Sequence, residues 1–262
     1  MKDLCQISQY AIQKASDIIL KYYNSSYEVK MKGEGNPVTQ ADIEADDILK
    51  EILMKETSGF GWLSEETKDS KLRLNKDMVW IVDPIDGTKE FVEGIPNFVI
   101  SVGLVEKGIP ILGAIYNPIS KELFTAYKDD GVKLNGLEYK ASIRTEFNKM
   151  SMLNSRSETK AGLWDSYRMH FKEVIPIGSI AYKLAMVSVN QADMVASLKP
   201  KNEWDICAGH CLINESGGKL ITSLGKEITY NNPTTLITPG LIAGNNTVVD
   251  NMITLIQNTN KK

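Results

Sequence analysis

Residues 80 to 88 of this 262-residue chain read Trp80-Ile81-Val82-Asp83-Pro84-Ile85-Asp86-Gly87-Thr88, and the spacing of the two aspartates marks the first place to look for chemistry. An apolar run over 78–82 leads into two carboxylates three positions apart, with Pro84 between them and a Gly-Thr pair behind. Carboxylate oxygens are the donors a hard cation such as Mg²⁺ prefers. The proline stiffens the turn, and Gly87 lets backbone N–H groups approach a phosphate closely. Asp, Pro and Gly are equally the ordinary residues of a turn that ends a strand, so the stretch alone fits both readings.

Three further acidic patches bear on the choice. Glu65 and Glu66 follow the apolar Trp62-Leu63 step, as on a short strand that delivers carboxylates to a sheet edge. Asp42 lies one turn into a helix that starts near Thr39, and Asp205 lies at the start of another, after Glu203 and Trp204. Each has a plain structural explanation: Thr39 with Asp42 as a capping pair, Asp205 as an N-cap, Glu65-Glu66 as a solvated turn. Bulky apolar neighbours draw all four sites inward, however, and buried carboxylates need compensation of the kind a divalent metal cluster supplies.

These residues resemble the inositol monophosphatase superfamily of Mg²⁺-dependent, lithium-sensitive phosphomonoesterases, and within it the 3'(2'),5'-bisphosphate nucleotidase branch. The resemblance runs through Lys32-Gly33-Glu34-Gly35-Asn36-Pro37-Val38-Thr39-Gln40-Ala41-Asp42, Leu63-Ser64-Glu65-Glu66, residues 80 to 91, Gly178-Ser179 and Trp204-Asp205-Ile206-Cys207-Ala208-Gly209. It departs at Glu34 and Asn36, where nucleotidases commonly carry Asp and Ser. The resemblance implies a layered αβαβα sandwich with an antiparallel-sheet N-terminal half (1–145) holding most metal ligands and an α/β C-terminal half (146–262) holding Asp205 and the selectivity residues. It implies two or three Mg²⁺ ions, replaceable by Mn²⁺ or Ca²⁺, on Glu65, Asp83, the Ile85 carbonyl, Asp86 and Asp205. Asp42 and Thr88 would act on the attacking water. Substrate would meet Ile85, Asp86, Gly87, Thr88, Gly178, Ser179, Lys183, Glu203 and Asp205. The implied reaction is hydrolysis of adenosine 3'(2'),5'-bisphosphate to AMP and phosphate. Inositol 1-phosphate and fructose 1,6-bisphosphate are alternatives on the same metal core, and a metal-binding pseudo-enzyme is the non-enzymatic one.

Composition sets wider bounds. A chain of this length with 42% hydrophobic residues can bury a sizeable core. A formal charge of −3 gives no polybasic footprint for a nucleic-acid polymer, so the expected partner is a small phosphorylated substrate. No segment reads as a signal peptide, and no apolar run approaches the roughly 20 residues that span a bilayer, so the expected location is cytoplasmic, as monomer or homodimer. Cys5, Cys207 and Cys211 suit reduced thiols. With His170 as the only histidine besides His210, they lack zinc-site spacing. The Gly-x-Ser-x-Gly elbow, the Walker A loop and the dinucleotide Gly-x-Gly-x-x-Gly are all missing.

Periodicity supplies the elements that must hold these residues. Leu4, Ile7, Ala11, Ala15, Ile18 and Tyr22 predict an amphipathic helix, and a second follows Thr39 through Leu53. The Gly- and Lys-rich stretch 30–37 reads as a loop able to serve as a lid. Runs at 78–82, 98–106, 109–116 and 123–127, broken by Lys107-Gly108, Asn117-Pro118 and Asp129-Asp130-Gly131, predict antiparallel hairpins. After residue 145, strands at 150–154, 173–176 and 194–197 alternate with helices at 162–171, 179–189 and 205–215.

Overall fold

The computed structural model describes residues 1–23, 25, 29–33 and 36–259. Its first part contains α1 (Lys2–Tyr22), β1 (Val29–Gly33), β2 (Asn36–Thr39), α2 (Gln40–Glu56), β3 (Gly61–Ser64), β4 (Met78–Asp86) and α3 (Thr88–Val92). Strands β5 (Val99–Glu106), β6 (Ile109–Asn117), β7 (Glu122–Tyr127), β8 (Val132–Leu134) and β9 (Leu137–Tyr139) follow. They form a seven-stranded sheet in the order β3-β4-β5-β6-β7-β8-β9, antiparallel except for the parallel β3–β4 pair. The expected hairpins are present. The stretch expected as a loop is instead largely the antiparallel pair β1–β2, and Glu34 lies outside the described residues.

The rest of the chain adds β10 (Ser151–Ser155), α4 (Arg156–Lys160), α5 (Asp165–Arg168), β11 (Glu173–Ile177), α6 (Ile180–Ser188), β12 (Met194–Ser197), β13 (Lys201–Asn202) and α7 (Glu203–Glu215). It closes with β14 (Lys219–Thr222), β15 (Leu236–Ile237), β16 (Leu241–Gly244) and α8 (Asn246–Thr259). A second sheet runs β11-β10-β12-β16-β14, parallel among the first three strands and antiparallel at β16. The helix expected over 162–171 shrinks to the four residues of α5, because Gly162 takes a positive φ of 72° and the chain turns there before the helix begins; the short α4 precedes the expected span.

Burial on both faces of both sheets produces five layers. On β4, alternate side chains part company: Trp80 and Val82 pack with Ile12, Ile19, Leu49 and Leu53 of α1 and α2, while Val79 and Ile81 pack with Leu184 and Ile206 of α6 and α7. The far side of α6 and α7 meets Leu153, Val195, Leu220 and Ala243 of the second sheet. The outer face of that sheet is covered by Trp164, Tyr167, Val248, Val249 and Met252. The order is therefore α, β, α, β, α, as expected. No described helix is long and apolar enough to cross a membrane.

The central layer carries a pH-sensitive residue. His210 of α7 is buried with Nδ1 3.0 Å from the Tyr230 hydroxyl, and burial lowers its pKa from the usual 6.5 to about 4. The unfolded chain therefore binds this proton first. Stability from this group is complete above about pH 6.5 and is lost as pH falls towards 4, on the order of 2 kcal/mol by pH 5. Urea unfolding at pH 7 and pH 5 should register that loss, and His210→Gln should remove it. An unchanged pH dependence in the variant would contradict the assignment.

Candidate active site

A bulge in β4 brings the two central aspartates to one side. Asp83 pairs with Ser101 and Asp86 with Val99, so β4 spends three steps where β5 spends two. In a regular strand, residues three apart point to opposite faces; the extra residue cancels that, and both aspartates line the same cleft. Pro84, which has no N–H to give to a ladder, is tolerated at such an irregularity. Gly87 follows with φ 103°, a conformation closed to most side chains, and turns the chain into α3.

Glu65 comes from the end of β3, where its N–H donates to the Val82 carbonyl at 3.3 Å. The turn that carries it is held from below by Asp46 of α2, whose carboxylate accepts from the hydroxyls of Ser64 and Thr67. Asp205 arrives from the first turn of α7. Carboxylate oxygens of Glu65, Asp83 and Asp205 lie within 4.8 Å of one another. Asp86 lines the cleft beside them with Oδ2 committed to the Ser179 hydroxyl at 2.7 Å and the Ala181 N–H at 2.6 Å.

This arrangement fits a hard divalent cation. The donors are all oxygens, and Asp83 is buried. Burial, then the charges of Glu65, Asp86 and Asp205, push its carboxyl well above the usual range; burial, then Asp86 and Glu65, do the same to Asp205. Three converging carboxylates, one of them buried, are mutually unfavourable until a cation offsets them.

Asp42 and Asp205 each close a helix capping box, and each also reaches a neighbour that lines the cleft. Asp42 Oδ2 accepts from the N–H and hydroxyl of Thr39 at 2.7 and 2.6 Å, closing the capping box of α2, while Oδ1 accepts from the Thr88 hydroxyl at 3.1 Å. Thr88 Oγ1 is also 3.1 Å from the Ile85 carbonyl. Asp205 Oδ2 accepts from the Asn202 N–H at 2.7 Å in a second capping box, yet the residue still joins the triad.

The cleft measures about 580 Å³. Of the residues expected at the substrate, Ile85, Asp86, Gly87, Thr88, Gly178, Ser179, Lys183 and Asp205 all line it. Glu203 does not. Its carboxylate is buried against another segment, accepting from the N–H groups of Asn231 and Asn232 at 2.8 and 2.9 Å and from the Asn232 side chain at 2.9 Å. Lys183 is buried, donates to the carbonyls of Ile177 and Gly178 at 2.8 and 3.3 Å, and has its pKa lowered by burial to about 8.

Charged residues form another wall of the cleft. Arg156 pairs with Glu90 at 2.8 Å and Glu93 at 2.9 Å, joining the start of α4 to α3 and its C-terminal end. Lys89, Lys160 and Lys201 line the same cleft. The sequence placed selectivity around Gly178-Ser179, Lys183 and residues 199–203, and Lys89 lies within the motif at 80–91; the part of this wall it did not mark is Arg156 and Lys160.

A layered αβαβα fold with three carboxylates converging in one cleft is an arrangement able to hold a divalent metal ion. The chain belongs to the inositol monophosphatase family, whose sequence model matches residues 1–261. Inositol monophosphatase of Mesembryanthemum crystallinum is 27% identical over 237 residues, covering 87% of this chain and 88% of the relative. The 3'(2'),5'-bisphosphate nucleotidase CysQ of Salmonella typhimurium is 29% identical over 245 residues, covering 92% and 97%. Among solved structures, the IMPase of Thermotoga maritima superposes with a TM-score of 0.87 at 25% identity, covering 100% of this chain and 99% of that one.

Proposed function

We propose that the protein is a Mg²⁺-dependent 3'(2'),5'-bisphosphate nucleotidase, removing one phosphate from adenosine 3'(2'),5'-bisphosphate to give AMP. The observation that carries this reading is the basic wall. Lys89, Arg156, Lys160, Lys183 and Lys201 line the cleft that holds the carboxylate triad. Lys89 and Lys160 have neither an ion pair nor a side-chain hydrogen bond among the described residues. A monophosphate on a neutral polyol needs its charge met at one point, whereas a bisphosphate needs a second cationic surface away from the metal.

The chemistry follows from the residues. Two or three Mg²⁺ ions on Glu65, Asp83, Asp86, Asp205 and the Ile85 carbonyl would neutralise phosphoryl and leaving-group oxygens and acidify a water. Thr39 engages one Asp42 oxygen, so the other is directed at Thr88. A Thr88 hydroxyl that donates to Asp42 has its lone pairs free to accept from a water and hold it in line with phosphorus. Helix α3 is only five residues long, so the free N–H groups near Gly87 and Thr88, more than any summed dipole, would meet the phosphate.

Phosphate release from adenosine 3',5'-bisphosphate, inositol 1-phosphate and fructose 1,6-bisphosphate, each with and without Mg²⁺, tests the reading. The nucleotide should have the highest kcat/KM, all activity should disappear with a chelator, and millimolar Li⁺ should inhibit. Preference for inositol 1-phosphate or for fructose 1,6-bisphosphate would overturn the substrate assignment while leaving the metal chemistry standing.

A further inference from the structure

Arg73 lies in the polar connection between β3 and β4, yet its side chain is only 1% exposed. Its Nε and Nη2 grip Asp69 at 3.2 and 2.8 Å, Nη1 donates to the Asn231 side chain at 2.8 Å, and Nη2 also donates to the Asn232 carbonyl at 2.9 Å. Asn231 answers by donating its side-chain amide to the Arg73 carbonyl at 3.1 Å. The same two asparagines give their backbone N–H groups to Glu203, two residues before Asp205.

We propose that Arg73, Asn231, Asn232 and Glu203 form a strut that positions Asp205 against Glu65 and Asp83, so that residues touching neither metal nor substrate help set metal affinity. The proposal rests on the reading of Asp205 as a metal ligand.

Both ends of the strut are anchored where ligands originate. At the near end, a Cβ on Gly61 would stand 3.0 Å from Arg73 Cβ, so the start of β3 is pressed onto Arg73, and β3 carries Glu65 four residues on. At the far end, Glu203 is the first residue of α7, and its N–H donates to the Thr235 carbonyl at 2.9 Å. Strand β13 pairs with β15 immediately before it, so the segment 231–237 grips the entry to α7 from both sides. All three guanidinium nitrogens and both Glu203 oxygens have partners. A buried charged network satisfied this completely favours a single geometry, because any displacement leaves a charge unpaired. Asp205 reaches the triad from the opposite half of the chain, and its distance to Glu65 depends on how α7 is seated.

The test uses Glu203→Gln, Arg73→Lys and their combination in the full chain. Glu203→Gln sets an amide N–H against a backbone N–H, and Arg73→Lys removes the fork. Mg²⁺ binding is measured by calorimetry, alongside the Mg²⁺ concentration giving half-maximal phosphate release and the melting temperature. Each single variant should bind Mg²⁺ about tenfold more weakly, the scale typical of residues that orient metal ligands, and the double variant no worse than the weaker single. Val249→Ala, which deletes buried volume on the inner face of α8 in the outer layer, serves as a comparison that lowers stability and leaves Mg²⁺ affinity intact. Strut variants that melt earlier but bind Mg²⁺ like the parent would overturn the proposal. Asp205→Asn distinguishes the two levels: if it too binds Mg²⁺ normally, the metal reading of Asp205 fails and the strut's role with it.

Discussion

Asp83→Asn is expected to abolish phosphate release at any Mg²⁺ concentration, a loss of at least about 10³ in kcat, or roughly 4 kcal/mol of transition-state stabilisation. The substitution keeps the shape of the side chain and removes the charge at the centre of the triad. In chelated enzyme the same variant should be no less stable than the parent. The Asp83 carboxyl is raised by burial and by its acidic neighbours, so its stabilising form is the protonated one. That contribution is present in acid and is lost as pH rises through the folded-state pKa, above which a buried charge opposes folding; asparagine carries no such charge. Calorimetric melting in EDTA checks the second half. Near-normal turnover at saturating Mg²⁺ would sink the assignment.

Thr88→Ala and Asp42→Asn should each lower kcat by on the order of 10²-fold, with little change in Mg²⁺ affinity, and the double variant should resemble the worse single one. The 3.1 Å contact between Thr88 and Asp42 Oδ1 is the basis: either change breaks the same relay. Asparagine at 42 can still accept from the Thr39 N–H, so the start of α2 should lose less than about 1 kcal/mol. Fully additive losses in kcat would mean independent roles. Intact kcat with reduced stability would reduce Asp42 to a cap.

Much of this site was legible in the residues because its acidic side chains sit at the ends of strongly patterned elements. The apolar run of β4 ends in Asp83-Pro84-Ile85-Asp86, and the proline between two aspartates marks the bulge that turns them to one side. The Trp62-Leu63 step marked β3, and the apolar spacing of α7 placed Asp205 at a helix start. What escaped has no period. β13 and β15 are two residues each, and α4 and α5 are too short to show a stripe. Arg73 sits in a stretch of charges that reads as surface, and its burial comes from a loop more than 150 residues away. Glu203 escaped for the same reason: an acidic residue two before Asp205 looks like part of the site, and only the seating of Asn231 and Asn232 shows which way it faces.

The two capping boxes have an evolutionary corollary. At positions 42 and 205 the fold asks for an oxygen that can accept from a backbone N–H, and asparagine meets that demand about as well as aspartate. The negative charge adds only the roughly 0.3–1 kcal/mol that an acidic side chain gains at a helix N-terminus, and under the proposed function its larger use is in the cleft. A lineage that stopped needing the reaction could therefore drift to asparagine at both positions and keep its helices, its layers and its overall likeness to active relatives. In this architecture the silencing of an enzyme would leave almost no mark on its shape, and single atoms at residues 42 and 205 would record it.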